Sequence, residues 1–368
     1  MTDSCDVFVV GGGPAGLAAA ICARRKGLTV TVADVAVPPI DKPCAEGLLP
    51  DALEALEQIG IPRVALDGWD VESVRFFNSE TSAEGRFPGA RGMGVRRTKL
   101  HETMFAHAAN CGVNFLWRTG VSGLADCGVY LGDRLFGAKW VIGADGGESR
   151  VRRWAGLDRR MGASTRIGYL RHYYVRPWSR SLEIYWGREA QCYVTPIGPA
   201  EVCVAVVSLD PKLRLERAVE EFPELTRRLA GAEASTAERG SFTATRRLER
   251  VWTGRVALIG DASGGVDAIT GEGLSLAFHQ APALAEALAS GDLTGYQLAH
   301  RRIFRRPTSM VRLMLLLGRH PWLQRCVTRI FSEKPHVFER FVAAHVGEAS
   351  DPNLAASTLL LGWHMLSA

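Results

Sequence analysis

The stretch Cys5-Asp6-Val7-Phe8-Val9-Val10-Gly11-Gly12-Gly13-Pro14-Ala15-Gly16-Leu17, continuing as AAAICARRKGLTVTVAD (residues 18–34), decides the fold. Asp6 to Val10 is apolar after its first residue and reads as a buried strand. Gly11 to Gly16 then opens a helix through Ala20 to Arg25. A second strand, Thr29 to Ala33, ends on Asp34. In this order each glycine has a distinct role. Gly11 permits the tight turn, Gly13 lets the backbone approach a pyrophosphate, and Gly16 lets helix and strand pack closely. Pro14 and Ala15 complete the turn, and the free N–H groups and positive dipole end of the helix face the anion. Asp34 is placed to accept hydrogen bonds from ribose hydroxyls. A glycine turn by itself is weak evidence, and a merely structural βαβ unit is the bland reading. Strand, turn, helix, second strand and terminal acid together predict a dinucleotide site.

The rest of the chain sets the scale. At 368 residues there is material for one large or two intimate domains, and 47% apolar with 23% charged residues is an ordinary soluble composition. Eight cysteines are scattered with no CxxC pair, so no metal site and no disulfide framework is expected. The N-terminus enters the first strand with no basic segment or long apolar run, which gives a cytoplasmic expectation. The net charge of +5 is local: residues 301–330 hold eight arginines and no acid, leaving 36 basic and 39 acidic residues elsewhere, a balance of −3. Apolar residues from Met310 to Ile330 interleave with those arginines at roughly helical spacing. Two readings stand: an amphipathic helix pair packed on the body, or peripheral contact with an anionic membrane or carrier protein. No nucleic-acid partner is expected.

Further along, a proline-rich loop contains Lys42-Pro43-Cys44-Ala45-Glu46-Gly47, in which Lys42 or Glu46 could reach a cofactor and Cys44 could line a substrate cavity; an incidental surface cysteine is the alternative. A short helix is expected from Pro50 to Ile59. Residues 68–95 read as strands, and a helix to Ala109 follows Arg97, with Thr98 as its expected N-cap. The strand Lys139 to Gly143 stops at Asp145-Gly146. From Thr165 to Leu209 four strands carry aromatics, and no second glycine fingerprint occurs there. Gly254 to Ala262 is then a buried strand ending in Gly260-Asp261. It leads through the loop Gly264 to Gly273 into a helix from Leu274. A second strand, glycine loop and helix could grip the far end of a long cofactor: Asp261 would hold a polyol, and the amides of Gly271, Glu272, Gly273 and Leu274 would face an electron-rich ring.

These separated motifs together resemble the FAD-dependent monooxygenase and geranylgeranyl reductase superfamily, with its para-hydroxybenzoate hydroxylase fold. The resemblance rests on Gly11, Gly13, Gly16 and Asp34, on Arg97 with Leu100, on Asp145-Gly146, and on Gly260-Asp261. It implies an α/β (α+β) architecture: a Rossmann-like FAD-binding domain (1–70, 96–164, 251–295), an inserted antiparallel β-sheet substrate domain (71–95, 165–250), and a C-terminal Arg-rich helical region (296–368). It also implies that Arg97 supports the pyrophosphate side of FAD and that Val121 meets the adenine through its backbone. Asp145 would touch FAD and NAD(P)H, a transient reductant needing no domain of its own, and Asp261 would bind the ribityl or ribose part.

KPCAEGLLP resembles the K-x-C-G-x-G-L segment of the reductases, with Ala45 where glycine is common. Cys192 to Pro196 resembles a degraded form of their aromatic-rich strand. No W-x-W-x-I-P stretch of a flavin halogenase is present. The first expectation is therefore an NAD(P)H-dependent monooxygenase acting on a small apolar or aromatic molecule, with Cys44, His172, Tyr174 and Tyr193 as candidate catalytic residues. The alternative is an ene-reductase of the geranylgeranyl type; halogenation and flavin binding without turnover rank lower.

Overall fold

The computed structural model describes residues 4–347. The strand Ser4–Val10 is central in an eight-stranded sheet, paired in parallel with Val30–Asp34 on one side and Arg134–Gly143 on the other. Asn114–Trp117 and Val256–Leu258 extend this sheet, also in parallel. Between the first two strands runs α1 (Pro14–Arg25), whose Ala18, Ala19, Ala20 and Ala23 are buried. Gly16 explains how near it lies to the strand turn: a Cβ there would fall 1.9 Å from the Gly11 carbonyl oxygen. At Gly11 itself φ is +109°, a region that side chains disfavour. The βαβ unit expected from the first stretch is therefore present.

Helix α2 (Pro50–Ile59) coincides with its expected span and ends on Gly60 in the left-handed region. Helix α3 (Arg97–Asn110) begins one residue before Thr98, which is not its cap. The first N–H of α3 instead donates to the Glu46 carboxylate at 2.8 Å, so a buried charged oxygen from a distant loop does what the local hydroxyl was expected to do. Helix α4 (Arg150–Trp154) is capped by Ser149 as its sequence suggests.

The β stretch between 68 and 95 divides between two sheets. Ser73–Phe77 pairs in parallel with Ser181–Trp186 and carries Ser82–Arg86 at the edge of a second eight-stranded sheet. Stacking of Phe76 on Trp186, 5.2 Å between centroids, helps hold that junction. Gly68–Val71 and Gly92–Val95 join Gly47–Leu48 in a small sheet of their own. Gly94 explains the placement, since a Cβ there would lie 1.8 Å from the Pro196 carbonyl oxygen. The rest of the second sheet is antiparallel: Arg160–Tyr174, Ser181–Trp186, Ala190–Gly198, Glu201–Ser208 and Arg239–Leu248. Two short helices, α5 (Leu215–Val219) and α6 (Pro223–Leu229), cover its outer face.

Helix α7 (Gly273–Ser290) returns to pack on α1. Three further helices follow where a pair was expected: α8 (Leu293–Arg319), α9 (Pro321–Glu333) and α10 (Pro335–His345). Their apolar side chains, including Leu317, Val327, Ile330, Phe331, Phe338 and Phe341, cluster with Val74, Phe76, Ala83 and Trp186. Packing on the body thus accounts for the apolar half of the 301–330 pattern, while Arg301, Arg302, Arg312, Arg319, Arg325 and Arg329 stay exposed. Among the described residues no helix is long and apolar enough to cross a membrane.

Candidate functional site

A cavity of about 1080 Å³ opens where the two large sheets and the C-terminal helices meet. That is at the upper end of the range for small-molecule and cofactor sites, roughly 300–1,000 Å³. One end is built from glycine turns. Gly11, Gly13, Pro14 and Ala15 line it together with Asp34. A Cβ at Gly13 would meet nothing within 4 Å, so this position is bare toward the cavity, whereas Gly16 lies behind the turn and acts only through packing. Asp34 accepts the N–H groups of Gly12 and Ala36 at 2.7 and 2.8 Å, which orients its carboxylate toward the same space.

The distant motifs converge on this end. Lys42, Cys44, Arg97, Val121, Asp145, Gly146, Gly260, Asp261 and the run Gly271 to Leu274 all line the cavity. Lys42 Nζ and Asp261 Oδ2 are 2.7 Å apart, tying the Lys42–Gly47 loop to the second glycine motif. Burial works to raise the Asp261 carboxyl, but Lys42 and Arg97 hold it below its ordinary value, so it stays an anion. Arg97 is buried with its Nε unpartnered, and burial pulls its pKa down. An unmatched buried cation facing a turn of bare glycines fits a phosphate-bearing cofactor. Asp145 is more committed: it accepts from the N–H groups of Arg150 and Val151 at 2.7 and 3.1 Å and so caps α4 as well as lining the cavity.

Several residues that align these loops carry no sequence signal. The Arg152 side chain is fully buried and donates to the carbonyls of Gly147 (2.7 Å) and Ala262 (3.1 Å), stapling the Asp145 and Asp261 turns together. Arg166 of the second sheet holds Asp267 of the 264–273 loop at 2.7 Å. His101 Nε2 lies 2.8 Å from the Gly12 carbonyl, and burial lowers its pKa, so a neutral ring donates to the phosphate turn.

The candidate catalytic residues are distributed unevenly. Cys44 and Tyr193 line the cavity. Burial pushes the Cys44 thiol up despite the nearby Arg97, which leaves it protonated. The Tyr193 hydroxyl is within hydrogen-bond distance of Gln191 Oε1 (2.6 Å) and the Ile269 carbonyl (2.9 Å), and burial raises its pKa. Tyr174, by contrast, is 59% exposed at the end of its strand and lines no part of the cavity. His172 is buried behind the loop, its Nε2 2.8 Å from Glu46 Oε2 and its Nδ1 2.9 Å from Thr236 Oγ. Both share a strand face with Leu170, which lines the cavity, but they lie further along the strand, His172 against Glu46 and Tyr174 at the exposed end. Glu46, with φ of +62°, lines the cavity and also serves α3 and His172. Cys203 completes a buried cluster with Glu46 and His172 whose ligand-capable atoms lie within 4.8 Å of one another, but the acid and imidazole already satisfy each other.

The opposite end of the cavity is apolar. Val74, Phe76, Leu182, Ile184 and Trp186 of the second sheet face Met310, Leu313, Met314, Leu317, Phe331, Phe338 and Phe341 of α8 to α10. The sequence reading did not foresee that the Arg-rich segment supplies this wall. Its signal was the inward stripe at Met310, Leu313, Met314 and Leu317, spaced three and four apart.

Residues 4–295 match the family described as FAD binding domain. A menaquinone reductase of Mycobacterium tuberculosis (strain ATCC 25618 / H37Rv) is 30% identical over 322 residues, 79% of this chain and 78% of that one. A digeranylgeranylglycerophospholipid reductase of Methanococcoides burtonii is 28% identical over 321 residues, covering 80% and 78%. In structure the chain is similar to a flavoprotein/dehydrogenase from Cytophaga hutchinsonii, with a TM-score of 0.84 at 18% identity over 99% of this chain and 100% of that one. With bare glycine turns, an unmatched buried arginine and a family match that spans most of its length, the chain belongs to the FAD binding domain family of FAD-dependent oxidoreductases.

Proposed function

We propose that this protein reduces carbon–carbon double bonds in the polyprenyl chain of a lipid, of which a menaquinone tail is the first candidate. The observation that carries the reading is the apolar end of the cavity. An aliphatic and aromatic wall from Val74 to Trp186 and from Met310 to Phe341 suits a long hydrocarbon chain better than a small polar ring. The relatives named as menaquinone and digeranylgeranylglycerophospholipid reductases support the same choice. This reverses the order of the two readings drawn from sequence, where oxygen chemistry stood first.

Bound FAD would supply two-electron hydride chemistry, while the chain supplies position and electrostatics. Gly11, Gly13 and the N-terminus of α1 would hold the pyrophosphate with Arg97, and Asp34 the adenosine ribose. Asp261, kept anionic, would accept from the ribityl hydroxyls, and the amides of Gly271 to Leu274 would face the ring. The walls of α8 to α10 exclude water from the reacting bond. NAD(P)H is the proposed transient reductant.

The test is anaerobic incubation of the chemically reduced flavoprotein with a menaquinone in detergent, followed by mass spectrometry. Gain of two hydrogens in the tail is the expected result. A product formed only in air and carrying an atom from labelled oxygen would instead favour the monooxygenase reading, which Trp186 and Tyr193 on the cavity wall keep in view.

A further inference from the structure

Within the glycine loop at the start of α7, one acid is buried against the cavity without adequate partners. Glu272 stands between Gly271 and Gly273, is 3% exposed, and its Oε2 makes no hydrogen bond. His345 of α10 lies on the other side of it. Its Nδ1 is 3.9 Å from Glu272 Oε1 and has no hydrogen-bond partner, and both residues line the cavity. The imidazole is the more open of the two, with its side chain 17% exposed against 2% for the acid.

The neighbouring charges do not neutralise Glu272. Asp51 of α2 takes the nearby donors: Ser275 Oγ at 2.6 Å, Arg306 of α8 at 3.1 Å and His279 at 3.8 Å. His345, Arg306 and, on the same loop, Thr270 still favour the Glu272 anion. Burial, reinforced by the charge of Asp51, outweighs them and raises the Glu272 carboxyl above its ordinary range. Burial thus favours the protonated form of this side chain, on the loop that would face the flavin ring.

We propose that Glu272 is the proton donor for saturation of a double bond held in the cavity, and that His345 returns the proton to it. The inference rests on the reductase reading. A hydride, carrying two electrons, passes from the reduced flavin to one alkene carbon. The π pair then takes the Glu272 O–H proton at the other carbon, leaving two new C–H bonds, oxidised flavin and a carboxylate. His345 protonates that carboxylate and regains a proton from water, and an external two-electron donor such as a reduced nicotinamide restores the flavin. Cys44 and Tyr193 are weaker candidates. Each is a far poorer acid than a carboxyl, and the Tyr193 hydroxyl is already within reach of two acceptors.

The experiment compares wild type, E272Q, E272A and H345F, each loaded with FAD. All four are expected to bind flavin stoichiometrically. With a menaquinone and reduced enzyme, E272Q should lose at least about 100-fold in the rate of tail saturation, the usual worth of a positioned acid. Added formate should partly restore E272A, a rescue that a structural role would not show. A second readout needs no turnover: between about 4.5, the ordinary value, and its raised folded value, Glu272 holds a proton that the unfolded chain has released. Wild-type thermal stability should therefore fall with rising pH across that window more steeply than that of E272Q. Wild-type turnover matched by E272Q, or equal pH slopes, overturns the inference alone. Wild type that saturates no tail overturns the reductase reading and takes this inference with it.

Discussion

Asp261 shows how a single side chain links distant parts of the site. Its carboxylate is held anionic by Lys42 and Arg97, so replacing it with alanine removes a charged acceptor and leaves two cations facing each other. Asp261→Ala should weaken FAD binding roughly ten- to hundred-fold, the equivalent of about 1.5–3 kcal/mol for a hydrogen bond to a charged group. Gel filtration should separate flavin from a folded apoprotein; co-elution of stoichiometric flavin would contradict the assignment. Cys44→Ser should keep its flavin, since the thiol is protonated and donates no charge to the site, but change the rate of substrate turnover. Unchanged kinetics would return Cys44 to a packing role. At this scale the glycines were readable because backbone conformation demands them. The Glu46–His172 pair was not, because its partners are 126 residues apart and pairing over that distance leaves no local pattern. Arg152 was invisible for the same reason: an arginine in the first turn of a short helix looks like any solvated cation until its carbonyl partners are known.

Among the elements, those with strong periodicity were readable. The first βαβ unit and α2 fall where the pattern puts them, whereas the strands of 71–95, expected together in the substrate sheet, divide between two sheets, because pairing partners are a tertiary property. Helix α8 contains a pH-sensitive element. His300 is buried with Nε2 3.1 Å from Ser263 Oγ, and burial lowers its pKa from 6.5 to about 4. Between those pH values the unfolded chain binds the proton more tightly than the folded one. Stability present above pH 6.5 should therefore decline as pH falls toward about 4, and a His300→Gln variant should show a shallower decline in urea midpoint over that window. Helix α10 is anchored by Phe338, which stacks on Phe331 at 4.6 Å and Phe76 at 5.0 Å. Phe338→Ala should cost about 3–5 kcal/mol in urea unfolding, the range for a buried phenylalanine. A loss below about 1 kcal/mol would mean that the α10 contact adds little to the body.

The whole molecule separates two chemistries along one cavity, polar where the glycine turns meet and apolar where α8 to α10 close it. The first end was readable from its motifs, apart from Arg152, Arg166 and His101, which align its loops. The second was not, since its walls come from three helices whose composition signalled only amphipathicity. Their outward face leaves Arg312 and Arg319 exposed with Leu316 at 47% and Trp322 at 58% exposure. A basic, partly apolar face on the helices that wall the apolar end of the cavity is the basis of a proposal for peripheral membrane contact. Sedimentation with vesicles containing phosphatidylglycerol should exceed that with phosphatidylcholine alone, and an Arg312→Glu/Arg319→Glu variant should remove the difference. Equal partitioning by wild type would leave only the packing role.

The far wall of the chamber is also the portion of the described chain that leaves the ribosome last. Every loop that would cradle the dinucleotide has emerged by Leu274, while the apolar end of the cavity still lacks part of its wall until Phe341 is out. A chain interrupted between those two points would carry every cofactor-side loop but not the complete apolar wall. Synthesis itself thus imposes an order, cofactor seat before substrate chamber.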